Sequence, residues 1–581
     1  MPRSTSRTRK KDSLTLSPKQ VTSEPATSGD QNRDVDVPAT HQLLPCGTTV
    51  YGHGDFQRLL CCFVILTLIV LQCHNQASSL IARPVVHWCR PPSKFADLST
   101  SRWKNVGIPL DDEGQPSECL VYVHPGHQPN DTETVECDAW DYDSQGYRSA
   151  RSYWNLVCRR AWLLSLSNVV HMSGAVFVVP VAGFVADAFG RKLVIVSGVT
   201  VLLLSTLGTC LTRSFWLHLA TRFLNSASAG TVFVVSLTLL YEVAPLAYRV
   251  FYVGVSCSLG VFLVDVSLIM LAPFPLSWTV LEAVILSPTA LLVLAACAVR
   301  ESPAWLLVLS RVDEAEAVML EAARMNDVHR VTARQAMQRL RTDINRSDVT
   351  YSYRLMSTAP ISESRCARVA GVFVVTFALM LSFDGLAWSS RMREEAAVGI
   401  VSVVLSAPSY VSMYLALMTL GRLQFLVAAM ALLGGTCILF GVAVTARPRV
   451  VGDALLVVAQ CCARVLVPAT YLYVAELFPT GVRSTALCGA YASGRLGAVV
   501  ASALALLEDK GYEDLEFAVV GSTVFVGVAV LVWLPETSRG IADVRGTGVA
   551  EGDVLKAMQE TLDLAPPRTK SKGRRKSKAR P

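Results

Sequence analysis

The stretch Gly183-Phe-Val-Ala-Asp187-Ala-Phe-Gly190-Arg191-Lys192 limits what this chain can become. It joins two apolar runs, 162–182 and 193–211, each long enough to cross a bilayer as a helix, which takes about 20 apolar residues. The connection is too short to form a domain. Arg191 and Lys192 at the foot of a span mark that end as cytoplasmic.

The stretch has a weaker echo. Gly421-Arg422 again stands between two apolar runs. Glu242-Val-Ala-Pro245-Leu-Ala-Tyr-Arg249 and Glu476-Leu-Phe-Pro479-Thr-Gly-Val-Arg483 share the pattern Glu-x-x-Pro-x-x-x-Arg. Glu301 and Glu536 each follow a span. From Gly190 to Gly421, Glu242 to Glu476 and Glu301 to Glu536 the spacing is 231, 234 and 235 residues (421 − 190, 476 − 242, 536 − 301). Three features recurring at nearly one offset point to two similar halves in parallel repeat, a plan of secondary transporters. The plainer alternative is that such loops only orient helices by charge.

Composition agrees with a polytopic membrane protein. Of the residues, 52% are hydrophobic and 17% charged, against about 25% charged in soluble domains. The net charge of +7 concentrates in basic runs at the ends, Arg7 to Lys11 and Lys570 to Arg580. Beside so many spans, an anionic inner leaflet is a better partner for them than nucleic acid. Solvated tails that fix topology are the simpler reading. No cleavable signal peptide is visible, and the polar residues 1–50 read as disordered.

The expected fold is therefore an all-α membrane protein with twelve transmembrane helices in two six-helix halves. Residues 1–57 form a disordered cytoplasmic tail. A first half spans 58–299, with an extracellular loop at 78–160. A cytoplasmic helical linker follows at 300–365, then a second half at 366–535 and a basic cytoplasmic tail at 536–581. Both termini lie inside. The extracellular loop holds Cys89, Cys119, Cys137 and Cys158 and the sequon at Asn130, which suits an oxidising, glycosylating compartment. Four cysteines allow three disulfide connectivities. Asn345-Arg-Ser347, in the cytoplasmic linker, is a sequon that stays unused.

With these residues in place, the sequence resembles the major facilitator superfamily, and within it the organic-ion transporters of the solute carrier family 22 type. Gly183 to Lys192 is similar to the superfamily's loop between helices 2 and 3. Cys137-Asp-Ala-Trp140-Asp-Tyr142-Asp leading to Cys158, Arg300-Glu-Ser-Pro-Ala-Trp305-Leu, Tyr473-Val-Ala-Glu476-Leu-Phe-Pro479 and Leu534-Pro-Glu536-Thr resemble that branch, over about 50–545. Departures mark a divergent member. The family usually has a base at Ala188 and at Leu423, Tyr-Tyr-Gly-Leu at Phe383-Asp384-Gly385-Leu386, and a Glu at Ser406.

The resemblance implies a plasma-membrane transporter for small organic ions, working by alternating access. It implies that Asp187 holds helix 2 against helix 11, while Arg191 pairs with Glu242 and Glu476 with Arg422 or Arg483. With Arg249, these form a latch made in one access state and broken in the other; static bracing is the alternative.

Charges within spans cost about 2.5–3.5 kcal/mol each on insertion scales, so each needs a partner or a purpose. They are Arg222, Asp265, Glu282, Asp384, Arg464 and Arg495. Arg222 and Glu282 lie nearer span ends and read as structural. Members that handle anions or carnitine often carry Arg where Arg495 stands, and a guanidinium facing a wet cavity binds a carboxylate bidentately. Either Arg495 anchors an anion, or it pairs internally with Asp384 or Asp265. Arg495, Asp384, Asp265, Arg464 and Tyr471 are the expected substrate contacts. Phe377, Phe383, Trp388 and Tyr473 either line the cavity with them or simply pack. His171 titrates near neutral pH or, more plainly, is a packed, hydrogen-bonded residue. No nucleotide, cofactor, metal or catalytic motif appears, so transport rather than enzymatic turnover is expected, driven by gradients. Organic anions or zwitterions are favoured; the alternatives are an organic cation transporter, a sugar-porter-like facilitator, or a non-transporting sensor on the same fold.

Overall fold

A computed structural model describes residues 48–537, except 112–113, 126–132, 144–147, 275, 347–362, 389–395, 447–448 and 509–512. Asn130, Ser347 and the basic runs of both tails lie outside the described residues.

Apolar segments in lipid must satisfy their own backbone groups, and these do so as helices. The long ones are α1 (Asp55–Ile81), α2 (Trp162–Phe189), α3 (Arg191–Leu211), α4 (Phe215–Val243), α5 (Arg249–Leu271), α6 (Trp278–Ala296), α7 (Glu363–Trp388), α8 (Ala396–Thr419), α9 (Arg422–Ala446), α10 (Arg449–Leu477), α11 (Arg483–Glu508) and α12 (Glu513–Val532). Among the described residues, eleven are long and apolar enough to cross a membrane; the twelfth, α12, has a shorter apolar stretch at Glu516–Val532.

The two halves repeat in their packing as well as in their sequence. In the first, α1 packs on α4, α5 and α6, α2 on α4, and α3 on α4 and α6. In the second, α7 packs on α10, α11 and α12, α8 on α10, and α9 on α10 and α12. Each pairing has its counterpart six helices later. The halves meet through α2 with α11, α5 with α8, α5 with α10, and α4 with α11.

The α2–α11 seam is close because Gly183 lacks a side chain. A Cβ there would lie 2.6 Å from the Cys488 Cβ and 2.8 Å from the Ser484 carbonyl oxygen. Gly190 ends α2 and opens α3 at φ +113°, a backbone that favours glycine. We call the end of the bundle carrying this turn the loop end.

Three shorter helices, Pro303–Val308, Val312–Met325 and Arg330–Arg346, follow α6. They lie against the loop end of the first half: the Trp305 indole donates to the Asp187 carbonyl (2.8 Å), and Asn326 bonds Tyr51, Phe56 and Gln57 at the start of α1. The segment between α1 and α2 carries two short antiparallel ribbons. β1 (His87–Cys89) pairs with β4 (Trp140–Tyr142), and β2 (Leu120–Tyr122) with β3 (Thr134–Glu136). Disulfides join Cys89 to Cys137 and Cys119 to Cys158.

Candidate functional site: an inter-half charge network and a buried central arginine

At the loop end, charged side chains tie the halves together. Arg191, fully buried, opens α3 and points back under α2. Its Nη2 lies 3.0 Å from Asp187 Oδ1, 3.1 Å from Glu242 Oε1 on α4, and 2.7 Å from the Thr480 carbonyl of the second half. Asp187 reaches across to the first turn of α11. There it accepts from the backbone N–H groups of Ser484 (3.3 Å) and Thr485 (2.8 Å) and from the Thr485 hydroxyl (2.8 Å). Free N–H groups at a helix start attract a carboxylate, so Asp187 acts as a cap donated by the other half. Arg483 returns the contact, with Nη1 3.1 Å from Glu242 Oε1.

The second half holds a looser copy. Arg422 lies 3.5 Å from Glu476, and the Glu476 carboxylate also accepts from the Thr537 hydroxyl (2.6 Å). Two carboxylates that motif spacing had marked as repeated, without assigning them a task, cap helices. Glu301 accepts from the N–H groups of Arg191 (3.0 Å) and Lys192 (3.1 Å). Glu536 accepts from those of Arg422 (2.9 Å) and Leu423 (2.9 Å).

Of the two partners open to Glu476, the structure pairs it with Arg422, while Arg483 meets Glu242 because it heads α11 at the seam where α4 ends. One placement differs from expectation. Arg249, expected in the latch, meets no carboxylate among the described residues; its guanidinium lies 4.5 Å from the centre of the Tyr241 ring and bonds the Tyr241 hydroxyl (3.3 Å).

Deeper in the bundle, Arg495 sits on α11, three turns in from Arg483. It is 8% exposed. The guanidinium lies 4.8 Å from the centre of the Tyr491 ring, and Nη1 is 3.7 Å from the Met172 sulfur on α2. Tyr491 and Tyr471 both pack on Phe233 of α4, at 6.5 and 6.0 Å between ring centres. Arg495 and Asp384 feel each other's charge, but no carboxylate comes within 4.0 Å of Arg495 among the described residues. One Asp384 oxygen, Oδ2, is buried without a hydrogen-bond partner.

Asp265 is not the partner either. It pairs with Arg464 at 3.2 Å, linking α5 of one half to α10 of the other, and Arg464 also approaches Ser402 of α8 (3.4 Å). Arg222 and Glu282 are buried within the first half, where Arg222 donates to the His74 carbonyl (3.0 Å). His171 bridges the Arg222 carbonyl (3.0 Å) and Asn75 (3.2 Å), the packed role. The Tyr473 hydroxyl donates to the Pro535 carbonyl (2.8 Å), a tie to the end of α12 rather than a cavity wall. Phe377 and Phe383 pack against the hydrophobic core, and the Trp388 side chain lies outside the described residues. Tyr491 and Met172 escaped sequence reading, since an apolar run does not say which side chain turns toward a neighbouring charge.

A two-half helical bundle with a charge-tied seam and a buried central arginine has the build of a secondary transporter of the major facilitator type. The chain belongs to the sugar (and other) transporter family, whose pattern matches residues 129–540. Its homologues include "Solute carrier family 22 member 6" of Oryctolagus cuniculus, 27% identical over 511 residues, covering 84% of this chain and 90% of that protein. Human "Organic anion transporter 3" is 25% identical over 504 residues, covering 83% and 89%. Among solved structures, the proton:xylose symporter XylE bound to 6-bromo-6-deoxy-D-glucose has a TM-score of 0.58 at 15% identity, covering 83% of this chain and 96% of that one. The human organic anion transporter MFSD10 has a TM-score of 0.51 at 15% identity, covering 82% and 100%. The chain is thus a multi-pass membrane transporter of small solutes, not an enzyme.

Proposed function

We propose that this chain moves organic anions across the plasma membrane by alternating access, with Arg495 as the anion anchor. The observation carrying this reading is that Arg495 is buried with no carboxylate in ion-pair range among the described residues. A buried guanidinium with no carboxylate bonded to its N–H groups is costly, and an incoming carboxylate or sulfate would relieve that cost through two parallel N–H bonds. Its relatives named as organic anion transporters support the same choice. Tyr471 and Tyr491 would supply a rigid aromatic wall beside the charge. Asp384, buried nearby, would disfavour a second negative charge on that side or receive the cationic end of a zwitterion.

The loop end is the cytoplasmic one in this reading, from Arg191 and Lys192 at the foot of the spans. Both termini and the linker helices then lie inside, and the disulfide-bearing segment outside. With the network of Asp187, Arg191, Glu242 and Arg483 made, the loop end is shut. Opening it requires that network to part, which makes it the latch between access states.

The test is uptake. Oocytes expressing the chain should take up a radiolabelled organic anion saturably and faster than water-injected oocytes. Binding of the anion by purified protein, with no flux in reconstituted vesicles, would favour the sensor alternative instead.

A further inference from the structure

Apart from the central site, the molecule holds an apolar cleft at the loop end of the first half. Its cavity measures about 230 Å³. One wall is the first three turns of α1, including Leu59, Cys62 and Leu66, and the other is the end of α6 with the residues just after it, from Leu291 to Val299. Val243 of α4 and Met325 of the linker helix complete the lining, and Arg300 is its charged member.

What fills such a cleft depends on the medium it opens to. Leu59 and Leu291 are 50% and 55% exposed on helices that cross the membrane, and Leu294 is 72% exposed beside them. These side chains face hydrocarbon, so the cleft opens sideways into the bilayer. Its walls offer water almost nothing to bond, and an apolar cavity of this kind stays dry. Arg300 follows the last residue of α6 by four positions, where the apolar span gives way to the linker. Its Nε and Nη2 are held by Glu321 (3.0 and 2.8 Å), while Nη1 has no hydrogen-bond partner among the described residues.

We infer that this cleft is a phospholipid site, holding one acyl chain between α1 and α6 with the lipid phosphate on Arg300. The position has a consequence for the bundle. Val243 adjoins Glu242, and Arg300 adjoins Glu301, the two carboxylates that hold Arg191 and the start of α3. An acyl chain in the cleft backs the wall that carries both and steadies the loop-end network from behind.

A phospholipid carrying a photoactivatable group near the end of one acyl chain tests the site, with the full-length protein in vesicles and crosslinks mapped by mass spectrometry. Crosslinks should concentrate on residues 56–66 and 291–300. Ala298→Trp, which fills the cleft, should reduce them at least fivefold while crosslinks elsewhere on the bundle persist. Added phospholipid should raise the melting temperature of the detergent-purified protein, and the same variant should lose most of that gain. Ala295→Phe serves as a second filler if Ala298→Trp does not fold. Crosslinks spread evenly over the lipid-facing helices, or unchanged by either filler, would overturn the assignment.

Discussion

Arg483 of the second half and Glu242 of the first meet at 3.1 Å, on the same Glu242 oxygen that Arg191 approaches at 3.1 Å. One carboxylate oxygen therefore holds one arginine from each half. Glu242 is 4% exposed, so the arrangement is shielded from solvent screening. The contact joins the halves at the loop end, and Asp265 with Arg464 ties them again across α5 and α10.

Glu242→Gln should loosen that closure without unfolding either half, since the packing within each half stays intact. Cys488, buried beneath Gly183, reports on it. Maleimide labelling of Cys488, followed by mass spectrometry of its peptide, should be several-fold faster in the variant. Unchanged labelling would mean that the network braces the bundle without gating it.

The two caps should behave alike. Glu301 and Glu536 each accept two backbone N–H bonds at the starts of α3 and α9. Losing a helix cap costs about 1 kcal/mol, and distant sites add to within about 0.5 kcal/mol. Glu301→Ala and Glu536→Ala should each lower the melting temperature in detergent, with the double variant lowering it by their sum.

Asp265 and Arg464 form the other charged tie between halves, across α5 and α10. Removing one partner of a buried pair costs about 3–5 kcal/mol because the other is left uncompensated. Asp265→Ala should therefore reduce folded protein at the cell surface. The exchanged double variant, Asp265→Arg with Arg464→Asp, should recover it, as read by surface biotinylation; no recovery would show that the pair's geometry matters more than its charge.

Gly183→Val should be far more damaging to transport than to folding. Its Cβ would meet Cys488 and the Ser484 carbonyl well inside contact distance, forcing α2 and α11 apart at the loop end. Surface expression near the unsubstituted level with uptake reduced at least tenfold is the expected result. Normal uptake would show that the two helices do not need this close approach.

These outcomes follow from parts of the molecule that differ in how plainly the sequence announces them. The spans are legible because lipid allows few alternatives to long apolar helices, and the repeat of Gly190 in Gly421 and of Glu242 in Glu476 announces two halves. Asp187 against α11 follows from the family motif around it. Partner choice is less legible. By motif Glu476 could take Arg422 or Arg483, and the choice follows from packing between the halves, where the start of α11 meets Glu242 at the end of α4. Arg249, in the matching place of the other half, finds Tyr241 and no acid. Asp265 and Arg464 lie far apart in the chain on helices of different halves, so no local pattern joins them. Arg495 stands out as a charge in a span, but the Tyr491 ring and Met172 sulfur that surround it could not be told from ordinary core residues.

The most direct measurement is uptake of a radiolabelled organic anion by oocytes expressing the unsubstituted chain, Arg495→Lys and Arg495→Ala, each corrected for surface protein. An anion anchor predicts robust uptake for the first, weakened affinity for the lysine variant, which keeps the charge but loses the planar fork, and near-complete loss for the alanine variant. Equal uptake by all three would contradict the account and move the anion to another residue.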